Sequence, residues 1–253
     1  MSGDGPGAPQ AVLMDMDGTL VDTEPDWIAC ERALVEAHGG VWTAELGAAQ
    51  VGKPLLVAAE TIRLLGGVDL PPEEIVEILL DGVVEGVRRE VRWQPGARAL
   101  LAELAAAGIP CALVTMSYRR LAMTVVSGLP PKTFATVVTG DEVEHGKPHP
   151  QAYLEAANRL GVDPRRCVAI EDSPTGLASA EAAGCAVVGV PHIVAIPAAP
   201  GRTVVGSLAD LDVEDLREIV HRHATGSGGY DAAATLFGGD RVQDVQPRGP
   251  ASR

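Results

Sequence analysis

The sequence predicts an α/β chain in which a doubly wound parallel sheet carries an inserted helical cap. Three observations predict it. Short apolar runs alternate with helical patterns between residues 93 and 190. A long stretch near the start, 23–92, holds helical patterns and no convincing strand. Acidic and hydroxyl residues stand just after the apolar runs, where an open parallel sheet places its ligand.

The first run, 11–16, ends in Asp-Gly-Thr and reads as a buried strand followed by a tight turn. Further strands are expected at 110–116, 135–139, 167–170 and 186–190. Helical patterns lie between them at 97–107, 118–126, 150–160 and 175–183. That alternation implies parallel pairing with helices on both faces. Within 23–92, amphipathic patterns occupy 27–37, 55–65 and 73–87, and Pro71-Pro72 before Glu73-Glu74 is a good helix start. The expected division is a catalytic core of 8–22 and 93–225, and a helical cap of 23–92. A tail of 226–253, rich in Gly, Ser, Asp and Pro, is expected to be disordered.

The 253 residues are enough for a core and one inserted domain, and 46% of them are apolar. Aromatics are only 3%, so Ala, Val and Leu must fill the core. A net charge of −14 argues against a nucleic-acid surface, which needs a basic stripe. It leaves room for a small phosphorylated ligand, because a metal and one or two cations make a local positive site. Cys30, Cys111, Cys167 and Cys185 form no CxxC pair and read as reduced, buried thiols. No apolar run approaches the ~18 residues of a membrane span, and residues 1–10 hold no signal region. A soluble, cytoplasmic protein, monomeric by default, is expected.

The residues that follow the strands are Asp15 and Asp17, Thr115 and Ser117, Gly140-Asp141, and Glu171-Asp172. Converging carboxylates repel one another. A hard divalent cation resolves the conflict, and Mg²⁺ suits carboxylate and water ligands beside a phosphate. Asp15 and Asp17 lie two apart on an extended segment and so point the same way. One can attack phosphorus to give an aspartyl-phosphate. The other can protonate the leaving oxygen and then activate water. Gly18 permits the turn, Lys147 offers a counter-charge and Thr115 a hydroxyl donor.

Taken together, these motifs resemble the haloacid dehalogenase superfamily, in the branch with a helical cap after the first motif. Asp15-Met16-Asp17-Gly18-Thr19 matches its DxDGT motif; Thr115 follows the second strand; Lys147 lies in GKPHP; and Glu171-Asp172-Ser173 matches the acidic fourth motif. The resemblance covers residues 11–195. It implies that Asp15 is the nucleophile and a magnesium ligand. Asp17 is the acid/base and ligates the metal through its backbone carbonyl. Asp172 is a metal ligand, with Glu171 supporting it directly or through water, and Thr115 and Lys147 hold the phosphoryl group. The dehalogenase and phosphonatase branches lack the second aspartate, so Asp17 favours phosphate ester chemistry. The mutase branch usually carries a cap histidine about where Trp27 stands here. The stretch from Asp22 to Trp27 instead resembles sugar- and polyol-phosphate phosphatases. Gly52 and Lys53, before Pro54, are expected on the cap loop that reads the substrate.

The expected function is a Mg²⁺-dependent phosphatase of a small phosphorylated metabolite such as a sugar or polyol phosphate. The alternatives are a phosphomutase of the same fold and a non-catalytic binding or regulatory module; intact Asp15, Asp17, Lys147 and Asp172 oppose the module. Blander readings exist for single residues. Asp-Gly is a common turn pair, Thr115 can satisfy a strand end, Glu171-Asp172 can cap the next helix, and Lys53 can be a surface charge. Asp141 and Glu142 read as solvated loop acids. Residues 47–53 fit GxxxxGK, but Pro54 replaces the Ser or Thr of a nucleotide-binding loop and no strand precedes it. Neither His145 with His149 nor His221 with His223 has the placement of a metal pair.

Overall fold

Ala-Val-Leu-Met at 11–14 has no polar face, so it can only be covered on both sides. It forms the fully buried strand β1 (Ala11–Met14). The computed structural model describes residues 7–50 and 53–226. Around β1 it places β2 (Cys111–Val114), β3 (Thr136–Val138), β4 (Cys167–Glu171), β5 (Ala186–Gly189) and β6 (Arg202–Val204). All pairings are parallel, in the order β3-β2-β1-β4-β5-β6. In register, Leu13 faces Ala112 on one side and Ala169 on the other. Successive strands first build outward from β1 and then cross to β4 on its other side. The crevice between the ends of β1 and β4 is therefore the topological switch point.

Alternate side chains of the strands enter two cores. Val12, Met14, Leu113, Val168 and Ile170 enter one. There they meet α5 (Ala97–Ala106), α6 (Arg119–Val126) and α9 (Val213–Thr225). Ala11, Leu13, Ala112, Val114 and Ala169 face the other, under α7 (Gln151–Leu160) and α8 (Pro174–Ala182). Cys111, Cys167 and Cys185 are buried free thiols, whereas Cys30 is half-buried.

Four helices lie between β1 and α5: α1 (Glu24–Ala37), α2 (Ala44–Ala48), α3 (Leu55–Gly66) and α4 (Pro72–Arg89). Pro71 caps α4 with extended backbone and Pro72 opens it, as the Pro-Pro-Glu-Glu run requires. Its buried face, Ile75, Leu79, Leu80 and Val83, belongs to the same apolar cluster as Val12 and Ile170 of the sheet. Each such side chain contributes roughly 1.5–3 kcal/mol when fully buried. The two chain crossings are tied to each other: Asp22 N–H donates to Arg92 C=O at 2.8 Å and Gln94 N–H to Leu20 C=O at 2.8 Å. The Arg92 guanidinium also holds the Asp26 carboxylate.

Three elements exceed the sequence expectation, the short helix α2 among them, whose five residues are too few to show a period. β6 is a half-buried edge strand of three residues, too short to show a period. α9 starts at a capping box, Asp212 with Asp215, which is a legible signal that the strand and helix reading did not use. Most of the 226–253 tail lies outside the described residues. Among the described residues, no helix is long and apolar enough to cross a membrane.

Glu31 in α1 is 5% exposed, and its described partner is the Trp42 indole N–H at 3.0 Å. Burial pushes its carboxyl up to about 7, although the Trp42 bond pulls the other way. The folded state thus keeps a proton that the unfolded chain gives up near ~4.3. Stability from this group is full below that range and falls as pH rises through 7. Glu31→Gln should therefore stabilise the fold by roughly 1–3 kcal/mol at pH ~8 and by nothing measurable at pH ~4. Thermal melts at the two pH values check it.

Candidate active site

The site is assembled at the carboxyl ends of β1, β2 and β4. Asp15 N–H donates to Ile170 C=O at 3.0 Å, so Asp15 continues β1 beside β4. The chain then turns sharply: Gly18 N–H meets Val21 C=O at 2.8 Å, and Gly18 has φ +86°. Only glycine fits there, because a Cβ would also collide with the Asp172 carboxylate.

Lys147 crosses to this point from the loop before α7. Its Nζ donates to Asp15 Oδ1 at 2.7 Å, Glu171 Oε1 at 2.6 Å and Val114 C=O at 2.9 Å. All three of its protons are thus used, and the side chain is 6% exposed. Glu171 also accepts from Tyr153 Oη at 2.7 Å and, on Oε2, from Ser173 Oγ at 3.2 Å. Gly176 leaves the room this carboxylate needs.

Asp17 is held by hydroxyls. Thr23 Oγ1 donates to its Oδ1 at 2.6 Å; Ser117 Oγ and Thr115 Oγ1 donate to Oδ2 at 2.7 and 3.2 Å. Thr115 Oγ1 also accepts from Ser117 N–H at 3.0 Å, so it satisfies the strand end and orients Asp17 at once.

Asp15, Glu171 and Asp172 each offer an oxygen within 4.8 Å of the others. One ammonium faces this group, so negative charge is in excess. Burial, then the charge of Glu171, pushes the Asp15 carboxyl up; burial, then Asp15, does the same to Asp172. Burial alone would lower the Lys147 ammonium, but Asp15 and Glu171 more than offset it and hold it above its ordinary value. A set of converging hard oxygens with surplus negative charge fits a divalent metal ion.

The structure therefore brings together Asp15, Lys147, Glu171 and Asp172, and sets Asp17 and Thr115 beside them. Asp17 offers no carboxylate oxygen to the three-carboxylate group. Lys53 is exposed and its described partner is Gln50 Oε1 at 3.3 Å. Gly52 lies outside the described residues. Ser173, rather than Glu171 or Asp172, caps α8 by accepting from Gly176 N–H. Glu142 is not simply a solvated acid: it accepts from Thr139 Oγ1 and N–H in a capping box. Asp141 accepts from Arg119 N–H. Gly47 sits inside the short helix α2, which rules out a phosphate loop there. Sequence reasoning missed Thr23 and Tyr153 as site residues. Thr23 had a local signal, since a Thr before Glu-Pro marks a helix start whose hydroxyl is available.

A family model of haloacid dehalogenase-like hydrolases matches residues 9–184, most of the chain. The chain belongs to that family. Hexitol phosphatase A of Escherichia coli is 36% identical over 82% of this chain and 91% of its own. Phosphorylated carbohydrates phosphatase of Thermotoga maritima is 32% identical over 69% and 82%. Among solved structures, CbbY from Rhodobacter sphaeroides in complex with phosphate matches with TM-score 0.71 and 28% identity, covering 80% of this chain and 96% of that one. In this chain the parallel sheet carries its helical insertion directly after the first strand.

Proposed function

We propose that this hydrolase is a Mg²⁺-dependent phosphatase. Its substrate is a phosphate monoester of a small sugar or polyol, cleaved through an aspartyl-phosphate on Asp15. In this reading residues 8–22 and 93–225 are the catalytic core and 23–92 the cap. The observation that carries it is the geometry of the first motif. Asp15 is fixed through Oδ1 by Lys147, its Oδ2 accepts no hydrogen bond among the described residues, and Asp17 is held two residues away by Thr23, Thr115 and Ser117. The names of the relatives support a phosphorylated carbohydrate or polyol.

Asp15 attacks phosphorus, forming its bond as the ester P–O bond breaks. Asp17 gives its proton to the leaving oxygen, and the alcohol departs. Water then attacks the aspartyl-phosphate, Asp17 takes the water proton, and the bond to Asp15 breaks to release phosphate. Lys147 holds Asp15 in line and balances charge on the phosphoryl oxygens; Thr115 and Ser117 keep Asp17 aimed. Asp15, Asp172 and the Asp17 backbone carbonyl are the groups to hold Mg²⁺. Glu171, already engaged by Lys147, Tyr153 and Ser173, supports them through water. When bound, the ion supplies charge neutralisation for the carboxylates and the phosphoryl oxygens.

A mutase needs an acid/base from the cap, and Trp27 has no titratable group to serve. Phosphate release measured across phenyl phosphate and a panel of sugar and polyol phosphates tests the proposal. Release of inorganic phosphate is expected. Transfer of the phosphoryl group within a sugar, without release, would overturn it.

A further inference from the structure

The buried face of α7 is Ala152, Tyr153, Ala156 and Ala157, so Tyr153 is its one large side chain. Packing against the sheet explains the fully buried ring. It does not explain the hydroxyl, a polar group that a phenylalanine would spare the core. That hydroxyl donates to Glu171 Oε1 at 2.7 Å, the same oxygen that accepts from Lys147 Nζ at 2.6 Å. The ammonium also lies over the Tyr153 ring, 5.3 Å from its centroid. Two donors fill both lone pairs of Oε1. Oε2 accepts from Ser173 Oγ, and Ser173 is itself fixed as the N-cap of α8. Behind the carboxylate stands Gly176, where a Cβ would collide with it. Glu171 is thus tied back by three donors, although one of its oxygens lies within reach of the Asp15 and Asp172 carboxylates. A bare carboxylate at that spot is a ligand for a hard cation.

We propose that Tyr153 is a positioning residue that sets the ion preference of the site: its hydroxyl, together with Lys147, occupies Glu171 Oε1 and keeps that carboxylate out of the ion's own ligand set. Two carboxylates, Asp15 and Asp172, are then left for the ion. Mg²⁺ is served by one or two carboxylates and keeps several waters, whereas Ca²⁺ takes more oxygens in looser geometry and gains from a freed Glu171. The inference rests on the metal site of the phosphatase reading above and adds which ion that site selects and through which residue.

The test reads ion binding without substrate, as the melting temperature of the full chain titrated with Mg²⁺ or with Ca²⁺. Tyr153→Phe keeps the ring and its packing and removes only the hydroxyl. The ratio of Ca²⁺ to Mg²⁺ affinity should rise ~10-fold in this variant, the scale of one hydrogen bond to a charged group. In a Glu171→Gln background the same substitution should leave the ratio within ~2-fold, because the carboxylate that the hydroxyl restrains is gone. A packing role would act in both backgrounds. A ratio within ~2-fold of wild type in Tyr153→Phe, or an equal rise in both backgrounds, overturns the role of Tyr153. A crystal structure of the Mg²⁺-loaded wild type tests the same point with no variant that must fold. Glu171 should remain on Tyr153 and Lys147, and a direct bond from Glu171 to the ion overturns the role. Wild type whose melting temperature responds to neither ion overturns the metal reading itself.

Discussion

Asp15→Asn should reduce phosphate release by about 10⁴-fold or more, with kcat rather than KM carrying the loss. An amide at this position is nearly isosteric, and its oxygen can still accept from Lys147 Nζ, now at 2.7 Å from Asp15 Oδ1. The fold should survive, because the substitution removes one negative charge from a place where negative charge is in excess. What disappears is the nucleophile. Thermal melting of the same preparation separates the two effects: a melting temperature near wild type with turnover absent is the expected pair. Wild-type turnover in Asp15→Asn would remove Asp15 from the mechanism.

Chelation of divalent ions should lower turnover by about 10³-fold, the equivalent of ~4 kcal/mol of charge stabilisation. Added Mg²⁺ should restore it. The same ion should raise the melting temperature, because Asp15, Glu171 and Asp172 converge with one ammonium between them. Mass action at ~100 times the dissociation constant is worth about 2.7 kcal/mol, or roughly 5–10 °C for a chain of this size. Asp172→Asn should shrink that thermal shift, since it removes a hard oxygen donor from the group. A chelated protein that turns over at the wild-type rate would show that the carboxylates serve some other purpose.

Much of this site was readable before the fold was known, and the reason is local. Asp15 interrupts an apolar strand, where burial of a carboxylate without a role is costly. Glu171 and Asp172 stand at the end of another strand of the same kind. A parallel sheet brings such ends to one edge, so chain-distant acids could be grouped from topology alone. The support of Asp17 was less readable. In the sequence Ser117 is simply a residue beyond β2, and Thr23 falls in the stretch 22–27 that resembles sugar- and polyol-phosphate phosphatases. Their convergence depends on how α1 enters and how β2 ends. Tyr153 lies on a helix face where a buried aromatic is ordinary packing, and its hydroxyl contact with Glu171 has no sequence mark. β6 failed for another reason: three half-buried edge residues carry too little pattern to distinguish strand from loop.

The account stands on a covalent bond between Asp15 and phosphorus. Its most direct test is an acid-quenched reaction of the Mg²⁺-loaded Asp17→Asn variant with a radiolabelled phosphate ester, followed by peptide mapping. With the acid/base weakened, the aspartyl-phosphate should break down slowly enough to be caught. The label should sit on the peptide that contains Asp15 and should disappear when unlabelled substrate is chased through. Turnover by wild type with no protein-bound label in either form, or label on a peptide without Asp15, would contradict the account.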